Sequence, residues 1–206
     1  MLTQEDVDRY LPPYKPVQRL DAADPISFGM YATPEYYLEF RYEHDQAMRR
    51  AKKVISEAGK EFGQMFGRDY SALIEGYRLE DADTAIIAMG SLCGTVKEAI
   101  DDMRTAGKKV GLLKIRCFRP FPAEEIKNAL SHVKRVAVLD KNISVGAKGA
   151  VVIEVRDALY GKTMPVLGYI LGLGGRDVRI SDIKNIVSLA ESGKGDQFYG
   201  LRTEVL

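Results

Sequence analysis

The central part of the chain, residues 83–144, repeats one pattern: a short apolar run, a turn of small residues, and an amphipathic helix. Its three apolar runs are continuous rather than alternating, which is typical of parallel strands covered by helices on both faces. They are Thr84–Met89, Val110–Ile115 and 135–139. Between the first two, Val96, Ala99, Ile100 and Met103 recur at helical spacing. The pattern predicts a parallel α/β sheet.

Two further runs extend this sheet at its ends. Residues 70–77 form a short β-like run only six residues before Thr84. Because a parallel crossover needs about a dozen residues or more, these two strands, if neighbours, should be antiparallel. The run at 165–171 predicts a last parallel strand, and helices are predicted near 94–106, 122–132, 149–160 and 181–192. Ser181 is a plausible N-cap of the last helix.

The rest of the chain predicts two terminal segments and a connecting helix. The first forty-two residues hold five of the eight prolines and many aromatic residues without a regular period, so we predict an arm that lies against a surface. That surface is either its own domain or a partner chain. The predicted segments are an arm (1–42), a long helix (43–68), an α/β domain (69–192) and a C-terminal docking tail (193–206). The candidate docking aromatics are Tyr31, Tyr36, Tyr37, Phe198 and Tyr199.

Composition excludes several classes of protein. Thirty basic and twenty-nine acidic residues give a net charge of +1, so no global field attracts nucleic acid. The two cysteines, Cys93 and Cys117, form no CxxC motif, so this chain predicts no metal site and no iron–sulfur cluster. No apolar run approaches the ~20 residues of a membrane helix. We therefore expect no membrane association and a cytoplasmic location.

Residues with catalytic chemistry are scarce, and we predict no catalytic residue. His44 and His132 lie at a predicted helix start and helix end, where an exposed or capping imidazole is commoner than a general base. Ser91 lacks the G-x-S-x-G spacing of a nucleophile elbow, which favours a role as an N-cap.

Loops that could bind a ligand follow four of the predicted strands, and three of these loops contain glycine. The carboxyl ends of parallel strands meet at one edge of a sheet, and ligands bind there in this architecture. None of the loops carries a Walker A or dinucleotide fingerprint. Five of the candidate residues in these loops are basic, so we expect local positive charge at this edge of the sheet. The candidates for a ligand or subunit contact are Gly90, Ser91, Arg116, Arg119, Asp140, Lys141, Asn142, Gly146, Lys148, Gly149, Arg176 and Asp177.

Two stretches carry a resemblance to a known family: MGSLCGTVKEAIDDMRTAGKKVGLLKIRCFRPFP and AVLDKNISVGAKGAVVIEV. They resemble the alpha subunit of pyruvate:ferredoxin oxidoreductases, in its second, transketolase-C-terminal-like domain. The likeness extends upstream through DPISFGMYATPEYYLEFRY and downstream through ILGLGGRDV. It implies a three-layer α/β/α fold with a mixed five-stranded sheet in the order 1-3-2-4-5, whose first strand is antiparallel. It also implies that this chain is the C-terminal portion of such a subunit, because no part resembles the thiamine-diphosphate pyrimidine domain with which that subunit begins.

The resemblance implies a function for the complete complex, which oxidatively decarboxylates pyruvate with coenzyme A and ferredoxin. The complex would use thiamine diphosphate, magnesium, iron–sulfur clusters and coenzyme A, none of them held by this chain. Its partners would be the thiamine-binding and ferredoxin-like subunits or domains, and a homodimer is possible. This chain alone is expected to be inactive, with an architectural role. The alternatives are a sister enzyme for branched-chain 2-oxoacids or 2-oxoglutarate, and a free-standing interaction or ligand-binding module.

Overall fold

The computed structural model describes residues 1–29 and 31–205, which form two compact units, Met1–Ser71 and Ala72–Leu206. The first unit contains helices α1 (Gln4–Tyr10) and α2 (Pro34–Phe66). Thr3 begins α1 with a capping box, in which its hydroxyl accepts from the Asp6 amide at 3.2 Å. Gly67 ends α2 in a left-handed conformation, as the sequence predicted.

Helix α2 begins at Pro34, so the predicted boundary at residue 43 is wrong. Proline at the first helical position costs no hydrogen bond, because that amide has no partner within a helix. The first turns of α2 were assigned to the arm because Leu38 and Tyr42 lie off the apolar face and obscure its period. Residues 34–42 are therefore helical.

The C-terminal part of α2 is packed by both ends of its own unit. The Tyr10 hydroxyl donates to the Ala58 carbonyl at 2.8 Å, and its ring lies edge-on to Phe62 with centroids 5.4 Å apart. On another face, a Cβ on Gly59 would lie 2.4 Å from the Tyr70 backbone. A glycine that weakens the helix intrinsically therefore allows the returning chain to approach it closely.

The second unit carries a mixed sheet whose strands run in the order β1-β3-β2-β4-β5-β6. β1 pairs with β3 in antiparallel orientation, and the other pairs are parallel. The order and the reversed first strand confirm the prediction, but the strand number of five is wrong because the tail adds β6 beside β5. The elements are β1 (Ile74–Tyr77), β2 (Thr84–Met89), α3 (Leu92–Thr105), β3 (Val110–Ile115), α4 (Ala123–Ala129), β4 (Arg135–Asp140), α5 (Ala150–Ala158), β5 (Val166–Ile170), α6 (Ile180–Glu191) and β6 (Gln197–Phe198).

The sheet separates two layers of buried side chains. Ile86 points into a layer shared with α3 and α6, whereas the next residue, Ile87, points into the layer shared with α4 and α5. Strands buried on both faces explain why the sequence shows continuous apolar runs. Helix α6 begins one residue before Ser181, so the predicted N-cap is wrong. Its N-cap is Arg179, whose amide donates to the Asp182 carboxylate at 2.8 Å.

Among the described residues, no helix combines the length and the apolar character that crossing a membrane requires.

Candidate functional site

The candidate site is the edge of the sheet at which β2, β3, β4 and β5 end. These strands are mutually parallel, so the four loops that follow them lie along the same edge. The loop after β2 is the shortest. Gly90 makes the turn with a positive φ of 71°, and Ser91 is the N-cap residue of α3. Both are exposed, and the Ser91 side chain makes no capping hydrogen bond.

The loop after β3 carries two arginines that already have acidic neighbours. Arg116 Nη2 lies 3.0 Å from Glu75 Oε2 on β1. Arg119 stacks over the Phe118 ring at 4.3 Å and forms an ion pair with Glu154 on α5. Both guanidinium groups therefore hold secondary structure elements together at this edge.

The loop after β4 is organised by the buried carboxylate of Asp140. Asp140 Oδ1 accepts from the Val151 amide at 2.9 Å, and Oδ2 accepts from the Val152 amide at 3.0 Å. The Asn142 side chain donates to Asp140 at 3.1 Å and accepts from the Ala150 amide at 2.8 Å. The first amides of α5 thus have acceptors within the protein. An external anion at this helix start would have to displace Asp140.

Gly149 leaves the space in which this carboxylate sits. A Cβ on Gly149 would lie 2.2 Å from Asp140 Cγ, so no larger residue fits without displacing the cap. Burial raises the pKa of Asp140, although the three hydrogen bonds that it accepts act in the opposite direction. Asp140, Asn142 and Gly149 belong to one candidate set predicted from the sequence, and the structure brings them into contact as a helix cap.

The loop after β5 meets the C-terminal tail. Gly172 takes a positive φ of 65°, and Arg176 Nη1 donates to the Gly200 carbonyl at 2.6 Å. A cavity of about 220 Å³ lies here, lined mainly by apolar side chains of this loop and of the tail. Asp177 is exposed beside it.

Asp196 is a central residue of this edge that the sequence analysis missed. Its carboxylate accepts from Arg156 at 2.6 Å, from Lys148 at 2.9 Å and from the Gly168 amide at 3.1 Å. Burial opposes its ionisation, but the hydrogen bonds from Arg156, Lys148 and Gly168 outweigh it and lower the pKa of Asp196 to about 2. The residue thereby ties the tail to β5, to α5 and to the loop after β4. The sequence gives little indication of this role, because Asp196 is a single acidic residue in a short tail segment between Gly195 and Gly200.

The positive charge expected at this edge is largely compensated. Of the five basic candidates, Arg116, Arg119 and Lys148 have carboxylate partners. Arg176 binds a neutral carbonyl, and Lys141 makes no ion pair within the described residues. A Cβ on Gly172 would contact both the Lys141 side chain and the Arg176 carbonyl, at 3.0 and 3.4 Å. The charge that remains is therefore concentrated between the loops after β4 and β5.

The remaining glycine of the candidate set, Gly146, forms an exposed turn with a φ of 84°.

The candidate docking aromatics behave differently in the two units. In the first unit, Tyr31 is 83% exposed and both Tyr36 and Tyr37 lie exposed in the first turn of α2. In the second unit, the Tyr199 amide donates to the Ile170 carbonyl at 2.8 Å, and its hydroxyl accepts from Asn185 at 3.2 Å. The tail therefore docks on the sheet of its own unit. Phe198 remains 42% exposed.

Within the part of the chain that the structure describes, no group of three or more His, Cys, Asp or Glu residues could hold a metal ion. His132 Nε2 lies 2.9 Å from the Leu79 carbonyl, and His44 is exposed on α2. Cys93 is buried, and burial raises the pKa of its thiol. Cys117 lies in the loop after β3, with Sγ 3.2 Å from the Arg119 carbonyl. An iron–sulfur cluster normally needs four cysteine ligands, so the residues present do not fit one.

The sheet of the second unit consists of parallel strands with one antiparallel edge strand, and helices cover both of its faces. This arrangement defines an α/β/α domain of the transketolase C-terminal type. Residues 82–183 match the family model described as pyruvate:ferredoxin oxidoreductase core domain II. Pyruvate synthase subunit PorA of Methanothermobacter thermautotrophicus is 49% identical over 92% of this chain and 49% of that subunit. Ketoisovalerate oxidoreductase subunit VorA of Pyrococcus furiosus is 51% identical over 96% of this chain and 52% of that subunit.

The chain belongs to the 2-oxoacid:ferredoxin oxidoreductase family, which confirms the resemblance found in the sequence. It spans about half the length of the curated relatives that it matches. A solved structure of 2-oxoglutarate:ferredoxin oxidoreductase from Magnetococcus marinus is 26% identical, with a TM-score of 0.47 over 58% of this chain and 20% of that chain.

Proposed function

We propose that this chain is a C-terminal portion of the alpha subunit of a pyruvate:ferredoxin oxidoreductase, in which it serves subunit contact rather than chemistry. The observation that carries the proposal is the 44–49% identity to three archaeal pyruvate synthase subunits over 92–100% of the chain. The complete enzyme oxidises pyruvate to acetyl-CoA and carbon dioxide and passes the electrons to ferredoxin. Its thiamine diphosphate, magnesium and iron–sulfur clusters would be held by other domains or subunits.

The architectural role rests on the chemistry of the sheet edge. Asp140 and Asp196 are committed to a helix cap and to anchoring the tail, and the arginines after β3 are paired. Lys141 and Arg176 are the cations of this edge that have no carboxylate partner within the described residues. They form the part of the edge best suited to contact an acidic subunit or the phosphates of coenzyme A.

A sister enzyme for a branched-chain 2-oxoacid is the second candidate. Three ketoisovalerate oxidoreductase subunits of Pyrococcus species are 49–51% identical to this chain, which is as similar as the pyruvate synthase subunits are. Because the two groups of relatives are about equally similar to this chain, the identities do not distinguish the two substrates.

The test is to purify the assembly through a tag on this chain and to measure 2-oxoacid-dependent reduction of methyl viologen in the presence of coenzyme A. We expect kcat/KM to be higher for pyruvate than for 3-methyl-2-oxobutanoate. The reverse order would assign the chain to the branched-chain enzyme. The isolated chain should be inactive and should give no heat on titration with thiamine diphosphate and magnesium. Magnesium-dependent binding at micromolar concentration would contradict the assignment.

The role of the edge is tested in the same assembly by Lys141→Ala and Arg176→Ala. Weaker assembly or a higher KM for coenzyme A, increasing with ionic strength, is the expected result. The control is Arg119→Ala, which removes the ion pair with Glu154. If all three substitutions changed assembly and the KM for coenzyme A equally, or if none changed them, the assignment of Lys141 and Arg176 as contact residues would be contradicted.

A further inference from the structure

The cavity between the loop after β5 and the C-terminal tail is formed entirely by residues of the second unit. Its volume is about 220 Å³. Leu173 of the loop and Phe198 and Leu201 of the tail line it, and so does Leu171, which is 3% exposed. The cavity therefore lies within one folded unit and does not depend on how the two units are arranged.

The tail wall of this cavity is anchored on both sides of Phe198. On one side, the Asp196 carboxylate accepts from Arg156 at 2.6 Å. On the other side, the Tyr199 amide donates to the Ile170 carbonyl at 2.8 Å. Both anchors hold the wall against the rest of the unit, so the cavity is formed before a ligand arrives. A preformed cavity binds without the cost of ordering its walls.

The walls of the cavity are apolar and remain open. Leu173 is 38% exposed, Phe198 is 42% exposed and Leu201 is 51% exposed. A closed cavity of about 150 Å³ lined by Leu, Ile and Phe holds benzene, so the cavity found here has room for an apolar body of about six to eight heavy atoms. Covering these three side chains with such a body would remove apolar surface from water.

One side of the cavity carries a guanidinium group. Arg176 lines the cavity, and its Nη1 donates to the neutral Gly200 carbonyl at 2.6 Å. Within the described residues, this guanidinium makes no other hydrogen bond and no ion pair. A guanidinium holds five N–H donors in a planar fork, so the edge formed by Nε and Nη2 can receive a carboxylate through two parallel hydrogen bonds.

Lys141 brings a second cation to the rim of the same cavity. A Cβ on Gly172, which lines the cavity, would lie 3.0 Å from Lys141 Cε. Lys141 makes no ion pair within the part of the chain that the structure describes. The exposed carboxylate of Asp177 directly follows Arg176 in the chain. Two cations and one carboxylate leave one positive charge, which a ligand with a single carboxylate neutralises.

We propose that this cavity binds a small aliphatic or aromatic monocarboxylate, with its carboxylate on Arg176 and Lys141 and its apolar body against Leu173 and Phe198. The inference rests on the proposed function in one respect, because it assigns a ligand class to the two cations proposed there as contact residues. Acetate would contact only the cations, and a neutral hydrocarbon would contact only the apolar walls. Both parts of the ligand are therefore needed for binding.

The first test is an NMR titration of the isotope-labelled full chain with 3-phenylpropanoate, because amide signals report both the affinity and the place of binding. We expect a Kd below about 1 mM, with the largest shifts at Gly172, Leu173 and Leu201. The neutral isostere 3-phenylpropanamide and acetate should each bind at least about tenfold more weakly. A Kd above about 1 mM, largest shifts elsewhere, or equal binding of either control compound would overturn the proposal.

The second test uses substitutions at exposed positions, where the fold tolerates change. Arg176→Gln and Lys141→Gln remove the two cations, and Leu173→Trp fills the cavity; each should raise the Kd for 3-phenylpropanoate, by about tenfold or more for Arg176→Gln. The matched controls are Lys162→Gln, in the exposed loop before β5, and Val145→Trp, in the exposed loop after β4. Both controls should leave the Kd unchanged. Control effects as large as those of the cavity variants would contradict the assignment.

Failure of this inference can be told from failure of the proposed function. Binding of 3-phenylpropanoate is measured on the chain, whereas the proposed function is measured by the activity of the assembly on 2-oxoacids. An assembly active on pyruvate, together with a chain that does not bind the compound, would overturn the inference alone. Binding by the chain, together with an assembly inactive on every 2-oxoacid, would support the inference and overturn the proposed function.

Discussion

The cap formed by Asp140 should make this residue the most sensitive carboxylate of the sheet edge. Asp140 is 1% exposed, and it accepts from two buried amides at the start of α5, at 2.9 and 3.0 Å. In Asp140→Ala both amides lose their acceptor in a place that water does not reach. Each unsatisfied buried donor costs about 1–3 kcal/mol.

The net loss should be smaller than the sum of these costs. Burial raises the pKa of Asp140, so removing the carboxylate relieves an unfavourable burial of charge. We therefore expect Asp140→Ala to lower the free energy of unfolding by about 2–4 kcal/mol at neutral pH. Asp140→Asn keeps one acceptor oxygen and should lose about 1–2 kcal/mol. Because the pKa of Asp140 is raised in the folded state, the resulting contribution to the free energy of unfolding is fully present below pH 3.8 and is lost as the pH rises. The wild type should show this loss, and Asp140→Asn, which has no carboxyl group there, should not.

Urea denaturation of the full chain, followed by circular dichroism, measures these differences. The matched control is Asp177→Ala, the same substitution at an exposed carboxylate in the next loop, which should stay within about 0.5 kcal/mol of wild type. An Asp140→Ala variant as stable as Asp177→Ala would refute the role of Asp140 as a helix cap.

Two further predictions concern the same edge. The pKa of Asp196 is lowered from 3.8 to about 2 in the folded chain, so its contribution to the free energy of unfolding is present above pH 3.8 and is lost as the pH falls towards 2. An acid titration monitored by circular dichroism should show this loss of stability in the wild type and not in Asp196→Asn. Gly149→Ala should lower the free energy of unfolding in urea by about 1–3 kcal/mol, because its Cβ would overlap Asp140. Gly94→Ala, at a helical position with open space around the new Cβ, should instead stabilise α3 by about 0.5–1 kcal/mol, and equal effects of the two substitutions would contradict the packing.

The sheet was predictable from the sequence because strands buried on both faces leave continuous apolar runs. Thr84–Met89 and Val110–Ile115 were predicted with the bounds that the structure shows. The reversed β1 followed from the short connection to β2. By contrast, β6 has only two residues, and its pairing with β5 depends on Asp196, whose partners lie 28 to 48 residues away in sequence.

The position of the candidate site could be predicted from the sequence, but the roles of its residues could not. Strand order puts Gly90, Asp140 and Arg176 at one edge, which the sequence predicted. It could not show that Asp140 fills the start of α5 or that Glu154 pairs with Arg119, because both depend on how helices pack over the sheet. The start of α2 was missed because Leu38 and Tyr42, which lie off the apolar face, hid the helical period in 34–42.

We propose that this chain works as a subunit portion of a 2-oxoacid:ferredoxin oxidoreductase. The most direct measurement is an add-back assay, in which the purified chain is returned to an assembly depleted of it and pyruvate-dependent viologen reduction is followed. We predict that neither fraction alone is active, and that activity returns in proportion to the added chain until the two are equimolar. Full activity of the depleted assembly, or no recovery although the chain binds, would contradict the claim.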